Sequence, residues 1–265
     1  MAELIFLKLG GSLITDKTHP YTPRLELLDD LARQIKGALD RAGGLQLVLG
    51  HGSGSFGHPP ASQHRTREGV HTADDWRGFS EVWWQASALN RHVMAALRAG
   101  GLPALALAPL ASVTARDGQV ASWDLAPLRA ALHAQVRPVV YGDVVFDELR
   151  GGTILSTEDL FAYLAAALHP SRILLAGLEA AVWADFPTRS QPLAKLTRES
   201  FASLRGEIGA SAGADVTGGM RSKVSQMLDL VEQVPGLSAT IFSGETPGAL
   251  GRAILGEPIG TLITR

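Results

Sequence analysis

Residues 45–59 read LQLVLGHGSGSFGHP. The apolar run Leu45, Leu47, Val48 and Leu49 has the length of a buried strand. It then breaks into Gly50, Gly52, Gly54 and Gly57, interleaved with His51, Ser53, Ser55, Phe56 and His58. Glycines at a strand end let backbone N–H groups approach an anion closely, because no Cβ intervenes. Two histidines add donors that charge near neutral pH. Two readings stand at this point: a loop that holds phosphate, or a tight turn between a strand and a helix. A Walker A loop is excluded, since no Gly-Lys-Ser/Thr follows.

Upstream, Leu4 to Leu9 reads as a strand that carries Lys8 and ends in Gly10-Gly11, with a polar loop from Ser12 to Lys17. A lysine near the end of a buried strand is costly unless its ammonium emerges at the strand's carboxyl end. That end is where ligands bind in open α/β sheets. The alternative for Lys8 is an edge strand with the ammonium in water. Leu28, Leu31, Ile35 and Leu39 recur at helical spacing and lead into the strand at Leu45. The unit is strand, Gly-Gly loop, helix, strand, Gly-rich loop, a βαβ pattern with two glycine loops on one sheet edge.

Downstream, residues 64–76 are polar and read as a mobile loop, with a histidine–carboxylate metal site as the rarer reading. Val82, Ala86, Leu89, Val93 and Leu97 mark a long helix, with Phe79 and Trp83 near its start as core or ligand-lining residues. Strands follow at Leu102–Ala108 and Pro138–Tyr141, the second ending in Gly142-Asp143. Val144–Phe146 and Ile154-Leu155 form a hairpin around Arg150-Gly151-Gly152. Asp143 is either a turn residue or a carboxylate that orients lysines or a metal. Ser156 caps a helix with Asp159 at the capping-box position. A strand at Ile173–Ala176 and a loop with Glu179, Trp183 and Asp185 come next. Thr217-Gly218-Gly219-Met220 precedes a helix N-terminus, a place that suits phosphate, and Lys223 lies one turn in. A strand at Ala239–Phe242, a short helix and a final strand at Gly260–Ile263 close the chain.

The whole chain has 265 residues, 46% hydrophobic and 19% charged, with net charge -2 and no cysteine. That describes a large soluble domain, or two closely joined lobes, with no global basic field to draw it to nucleic acid or anionic membrane. Disulfides and thiolate metal sites are excluded, and a cytoplasmic setting is expected. Neither a secretory signal nor a bilayer-length apolar run is visible. Three glycine loops with lysines beside them, one carboxylate and one histidine suit phosphoryl transfer, where the protein supplies positioning and electrostatics. Neither a nucleophile elbow nor a dinucleotide fingerprint is present.

KLGGSLITDK (Lys8 to Lys17), HGSGSFGHP (His51 to Pro59), Gly142-Asp143 and DVTGGMRSK (Asp215 to Lys223) together resemble the amino acid kinase family. The four motifs occur in the family's order and span nearly the whole chain. Within the family, the glycine loop ending in Phe-Gly-His is similar to that of the branch acting on isopentenyl phosphate, and His58 also occurs in fosfomycin-type phosphonate kinases. The resemblance implies an open αβα sandwich with a mainly parallel sheet. It implies a homodimer, with an acceptor lobe over about 1–150 and an ATP lobe over about 151–265. Carried over by motif, Lys8 and Lys223 stabilise the migrating phosphoryl group, with Asp143 orienting them. Gly10, Gly11, Lys17, Gly219 and Glu179 hold ATP, and Ser53, Gly54, His58 and Gly142 hold the acceptor phosphate. Mg²⁺ travels with ATP, and no metal site is expected on the protein itself. The expected reaction is ATP-dependent conversion of isopentenyl phosphate to its diphosphate. Another small phosphate or phosphonate is the same-class alternative, and a regulatory nucleotide-binding protein without turnover is the other.

Two departures bear on this. Gly177-Leu178-Glu179-Ala180-Ala181-Val182 stands where the family carries Thr-Asp-Val-Asp-Gly-Val, leaving Glu179 as the one acidic stand-in for nucleotide recognition. Ser53 replaces a loop glycine, adding a hydroxyl donor or filling space. For an isoprenoid tail, Phe79, Val82, Trp83 and Ala86 fall at spacings that share a helix face and are expected to close the pocket, with Trp83 as its floor.

Overall fold

The computed structural model describes residues 2–204 and 219–265. The Asp215, Thr217 and Gly218 positions of the fourth motif therefore lie outside the described residues. In chain order the elements begin β1 (Leu4–Leu9), α1 (Gly11–Ile14), α2 (Leu25–Ala42), β2 (Gln46–His51), α3 (Gly54–His64) and α4 (Ala73–Ala99). There follow β3 (Ala104–Ala106), β4 (Val113–Arg116), β5 (Gln119–Trp123), α5 (Ala126–His133), β6 (Arg137–Tyr141), β7 (Asp143–Asp147) and β8 (Gly151–Leu155). The remainder is α6 (Thr157–Leu168), β9 (Arg172–Gly177), β10 (Val182–Trp183), β11 (Pro192–Leu193), β12 (Lys195–Leu196) and α7 (Arg198–Ser203), then α8 (Gly219–Gln233), β13 (Ser238–Ser243), α9 (Ala249–Ile254) and β14 (Thr261–Ile263).

Eight strands form one sheet in the order β12-β14-β13-β9-β1-β2-β6-β3, with parallel pairing from β13 through to β3 and an antiparallel β13–β14 step. This is the mainly parallel open sheet expected. β1 has β2 on one side and β9 on the other, so the carboxyl ends of β1, β2 and β9 flank a topological switch point, where ligands bind in such sheets.

Side-chain alternation along β1 sorts the two layers. Ile5, Leu7 and Leu9 face Leu28, Leu31 and Ile35 of α2, together with residues of α4 and α9. Phe6 faces the opposite layer, with Phe161 and Leu164 of α6 and Val224 and Met227 of α8. β2 repeats the pattern, Val48 toward α6 and α8, Leu47 and Leu49 toward α2. Because a strand's side chains alternate, Lys8 falls on the same side as Phe6, at the carboxyl end, facing α6 and α8. The βαβ start of the chain thus decides which helices meet the lysine.

The polar stretch 64–76 is shorter as a loop than expected. α3 runs to His64, and α4 begins at Ala73 behind a Thr72–Asp75 capping box. α3 buries only Gly54, Phe56, Gly57 and Pro60, so it has no apolar stripe for periodicity to reveal. A second, four-stranded sheet, β5-β4-β7-β8, contains the anticipated β7–β8 hairpin and one that was not anticipated, β4–β5. Its turn is Asp117-Gly118, both at positive φ, the usual chemistry of a two-residue hairpin turn.

Candidate active site

The loops at the switch point surround a cavity of about 1420 Å³. Two loops form its floor and touch backbone to backbone. A Cβ on Gly11 would lie 2.3 Å from the Gly54 nitrogen, and one on Gly54, itself at φ +48, 2.5 Å from the Gly11 carbonyl oxygen. Only glycine allows this approach. Thr15 fastens it: its Oγ1 donates to the Gly11 carbonyl (2.7 Å) and accepts from the Ser55 N–H (3.0 Å). The glycine stretch after β2 takes the second of the two forms the sequence allowed, a tight turn between a strand and a helix. It is a tight entry into α3, and that helix start lines the cavity through Ser53, Gly54, Ser55, Gly57 and His58.

Opposite stand the charged groups. Lys8 is only 7% exposed and donates from Nζ to Glu158 of α6, which is 6% exposed. Burial works against ionisation of Glu158, but Lys8 and Lys223 together outweigh it and hold the carboxyl below the ordinary glutamate value. Glu158 sits in the first turn of α6, where the helix dipole also favours an anion. Lys223 of α8, Lys17, Gly10, Gly11, Gly142, Gly219 and Glu179 line the same cavity. The Glu179 carboxylate is engaged locally, accepting from Trp183 Nε1 (2.9 Å) and pairing with Arg189 (3.1 Å). So two lysines around one carboxylate face a helix start with a histidine, an arrangement that can hold two phosphates with the bond between them.

A profile of the amino acid kinase family matches residues 3–243. The chain belongs to the amino acid kinase family. The isopentenyl phosphate kinase of Methanothermobacter thermautotrophicus is 35% identical, over 98% of this chain and 99% of its own. That of Methanocaldococcus jannaschii is 30% identical over 98% of each. A solved isopentenyl phosphate kinase structure superposes with a TM-score of 0.83 at 32% identity, covering 99% of this chain and 100% of that one. As a family kinase this protein is a phosphotransferase, and it uses ATP.

In this amino acid kinase the lysine-pairing carboxylate is Glu158 and not Asp143. Asp143 does not reach the cavity wall. It is fully buried at the start of β7, where Oδ1 accepts from the Val144 N–H (2.9 Å), and the Leu110 backbone supplies another hydrogen bond. Among the described residues its Oδ2 has no hydrogen-bond partner, and burial pushes its pKa up to about 7. Between the ordinary Asp value and that one, the folded state keeps a proton the unfolded chain gives up, so stability falls as pH rises through the window. Asp143→Asn is therefore expected to stabilise the fold more at pH 8 than at pH 5, by on the order of 4 kcal/mol at most, read as a larger rise in Tm, with turnover per folded molecule retained. A large loss of turnover with unchanged Tm would restore Asp143 to the active site.

The expected tail-pocket residues also divide. Val82 lines the cavity beside Ile154 and Ala61. Phe79 packs behind Val82 in a small cluster with Val70 and Val144, and Ala86 is buried in α4; neither reaches the wall. Trp83 is 37% exposed with its ring against Trp84, so it is neither pocket floor nor core. One step along a helix turns a side chain by about 100°, which carries Trp83 away from Val82. Val82→Ala or Ile154→Ala is expected to shift kcat/KM severalfold toward a ten-carbon over a five-carbon prenyl phosphate, at roughly 0.8 kcal/mol per CH₂ accommodated. Trp83→Ala is expected to leave that ratio unchanged; a shift with Trp83→Ala alone would place the pocket end there.

Among the described residues no cluster of three histidine or acidic side chains suits a metal ion, including in the 64–76 stretch. No described helix is long and apolar enough to cross a membrane.

Proposed function

We propose that this protein transfers the γ-phosphoryl group of ATP to isopentenyl phosphate, giving isopentenyl diphosphate and ADP, in the cytoplasm. The observation that carries this reading is the Lys8–Glu158 pair with Lys223 beside it, across one cavity from the Ser53–His58 helix start. Two anions must meet for the transfer, and cations must stand on the migrating group while donors hold the acceptor. The likeness to the isopentenyl phosphate kinases supports the choice of acceptor, as does the Val82, Ile154 and Ala61 wall beside the glycine loop.

In this reading an acceptor phosphate oxygen forms the new bond to the γ-phosphorus while the bond to the β,γ-bridging oxygen breaks and ADP leaves. That oxygen is already ionised at neutral pH, so no general base is required. His58, Ser53, Gly54 and Gly142 then serve as donors to the acceptor phosphate. Lys8 and Lys223 act on the migrating group. Gly10, Gly11, Lys17 and Gly219 hold the ATP phosphates, and Glu179 shapes the nucleotide end through Arg189 and Trp183. Mg²⁺ enters with the nucleotide and adds positive charge on its phosphates. Among the described residues, the carboxylates that line the cavity are each paired with a cation, Glu158 with Lys8, Glu179 with Arg189 and Glu68 with Arg65. The acceptor lobe spans about 1–150 and the ATP lobe about 151–265.

We also infer a homodimer. Trp84 of α4 is 53% exposed and Leu105, on the adjoining edge strand β3, is likewise 53% exposed, apolar area that suits a second copy. The solution mass of the wild type against Trp84→Asp tests it: dimer and monomer respectively are expected, and a monomeric wild type would refute it.

ADP release with a panel of acceptors tests the function. Turnover with isopentenyl phosphate is expected, and turnover only with a phosphonate would assign the other branch. Binding of ATP without any turnover would make it a regulatory protein.

A further inference from the structure

We propose that Arg67 is a further cation of the transfer site, contacting the acceptor phosphate where it meets the migrating phosphoryl group; this rests on the kinase reading above. Arg67 lies just beyond α3, in the polar stretch after the helix that carries His58. A smaller cavity of about 260 Å³ adjoins the main one, and Arg67, Ser156, Glu158 and Lys223 are in the walls of both. Arg67 is thus grouped with the charged pair and the second lysine at the boundary of the two cavities.

Its position is built. The Arg67 carbonyl accepts from Thr153 Oγ1 (2.9 Å), a fully buried hydroxyl, and from Arg150 Nη1 (3.2 Å). Its guanidinium donates to Asp159 Oδ2 (3.1 Å). That same oxygen accepts from the Ser156 N–H (2.8 Å) and Oγ (2.7 Å), and Oδ1 accepts from Gln226 Nε2 (3.2 Å). Gln226 is on α8, three residues beyond Lys223. One carboxylate therefore ties Arg67 to the helix that carries Lys223. Asp159 uses one of the five guanidinium N–H groups, and the side chain is 43% exposed. The rest of the planar fork is free to take a phosphate in two parallel hydrogen bonds.

The charge balance gives the arginine a task. A phosphate acceptor brings about two negative charges beside the γ-phosphoryl group at neutral pH, where a carboxylate acceptor brings one. Lys8 enters with its charge already opposed by Glu158. Lys17 and Mg²⁺ serve the ATP phosphates, so where the two anions meet Lys223 and a donor histidine gain from a further cation, and one that cannot deprotonate suits that place.

The test compares Arg67→Ala, Arg67→Lys and wild type for kcat and both KM values, with Tm alongside, and repeats Arg67→Ala with added guanidinium chloride. Arg67→Ala is expected to lose roughly tenfold to a hundredfold in kcat/KM for isopentenyl phosphate, as for a lost transition-state donor, with KM for ATP and Tm little changed. Arg67→Lys is expected to keep part of the activity, and millimolar guanidinium ion to restore part of the Arg67→Ala loss while leaving wild type unaffected. Wild-type kinetics in Arg67→Ala would overturn the proposal, and so would a loss accompanied by lower Tm, equal change in both KM values and no rescue. A wild type inert toward isopentenyl phosphate would overturn the kinase reading itself, and the Arg67 proposal with it.

Discussion

Lys8→Met is expected to lose both turnover and stability. Lys8 and Glu158 are almost fully buried and paired. Removing the ammonium leaves a buried carboxylate with only Lys223 to oppose its desolvation, a change that costs about 3–5 kcal/mol. The loss has a pH signature. In the wild type the carboxyl is held below its ordinary value, so the pair's contribution is present at neutral pH and fades only in acid, as Glu158 protonates. In Lys8→Met burial acts with less opposition, Glu158 takes up its proton at higher pH, and the deficit against wild type shrinks as pH falls from 8 toward 5. Lys8→Met/Glu158→Leu is expected to recover most of the Tm, because replacing a buried pair by apolar groups is often neutral or stabilising. It should recover none of the activity, since the cation on the migrating phosphoryl group stays absent. Thermal melts at several pH values with single-turnover assays check this. A stable, inactive Lys8→Met would show that Glu158 does not depend on the lysine. Restored turnover in the double variant would make Lys8 structural.

His58→Ala is expected to lower kcat/KM for the acceptor on the order of 100-fold or more, the range for one lost donor at a transition state. KM for ATP should hold, because His58 lies in the second turn of α3, beside the glycine loop proposed to hold the acceptor phosphate. His58→Gln keeps a donor and should keep part of the activity. Since a phosphate nucleophile needs no base, wild type and His58→Gln should share the same ascending limb in their pH profiles. Wild-type kinetics in His58→Ala would remove the residue from the site.

The parts of the fold that were legible in the sequence were those with a strong period or a strong breaker. β1 and β2 could be placed from their apolar runs, and Gly10-Gly11 marked where β1 ends, while β2 continues through Gly50 to His51. Alternation along β1 even implied that Lys8 shares a face with Phe6. What the sequence did not display was which helices cover that face, and so Glu158 was missed. It sits one residue before Asp159, in a first turn that reads as an ordinary capping box, and nothing local distinguishes a buried carboxylate from a solvated one. The lysine itself was the available signal, since a cation near the end of a buried strand calls for a buried anion. Asp143 was misassigned for the converse reason. It follows an apolar strand at the correct sheet edge, yet the chain turns directly into β7 and takes the side chain toward backbone N–H groups. Trp83 shows the limit of spacing arguments, because a residue one step from a pocket-lining position points elsewhere. Arg67 lay in a stretch without periodicity, where only the fold brings it to Lys223.

The central claim is that Lys8, Lys223 and the His58 helix start join two phosphates. The most direct measurement is ³¹P NMR of a mixture of ATP, Mg²⁺, isopentenyl phosphate and the wild-type protein. The account predicts that the isopentenyl monophosphate singlet is replaced by the paired doublets of isopentenyl diphosphate as ADP accumulates one for one. An unchanged singlet, with ATP either untouched or hydrolysed to inorganic phosphate, would contradict it.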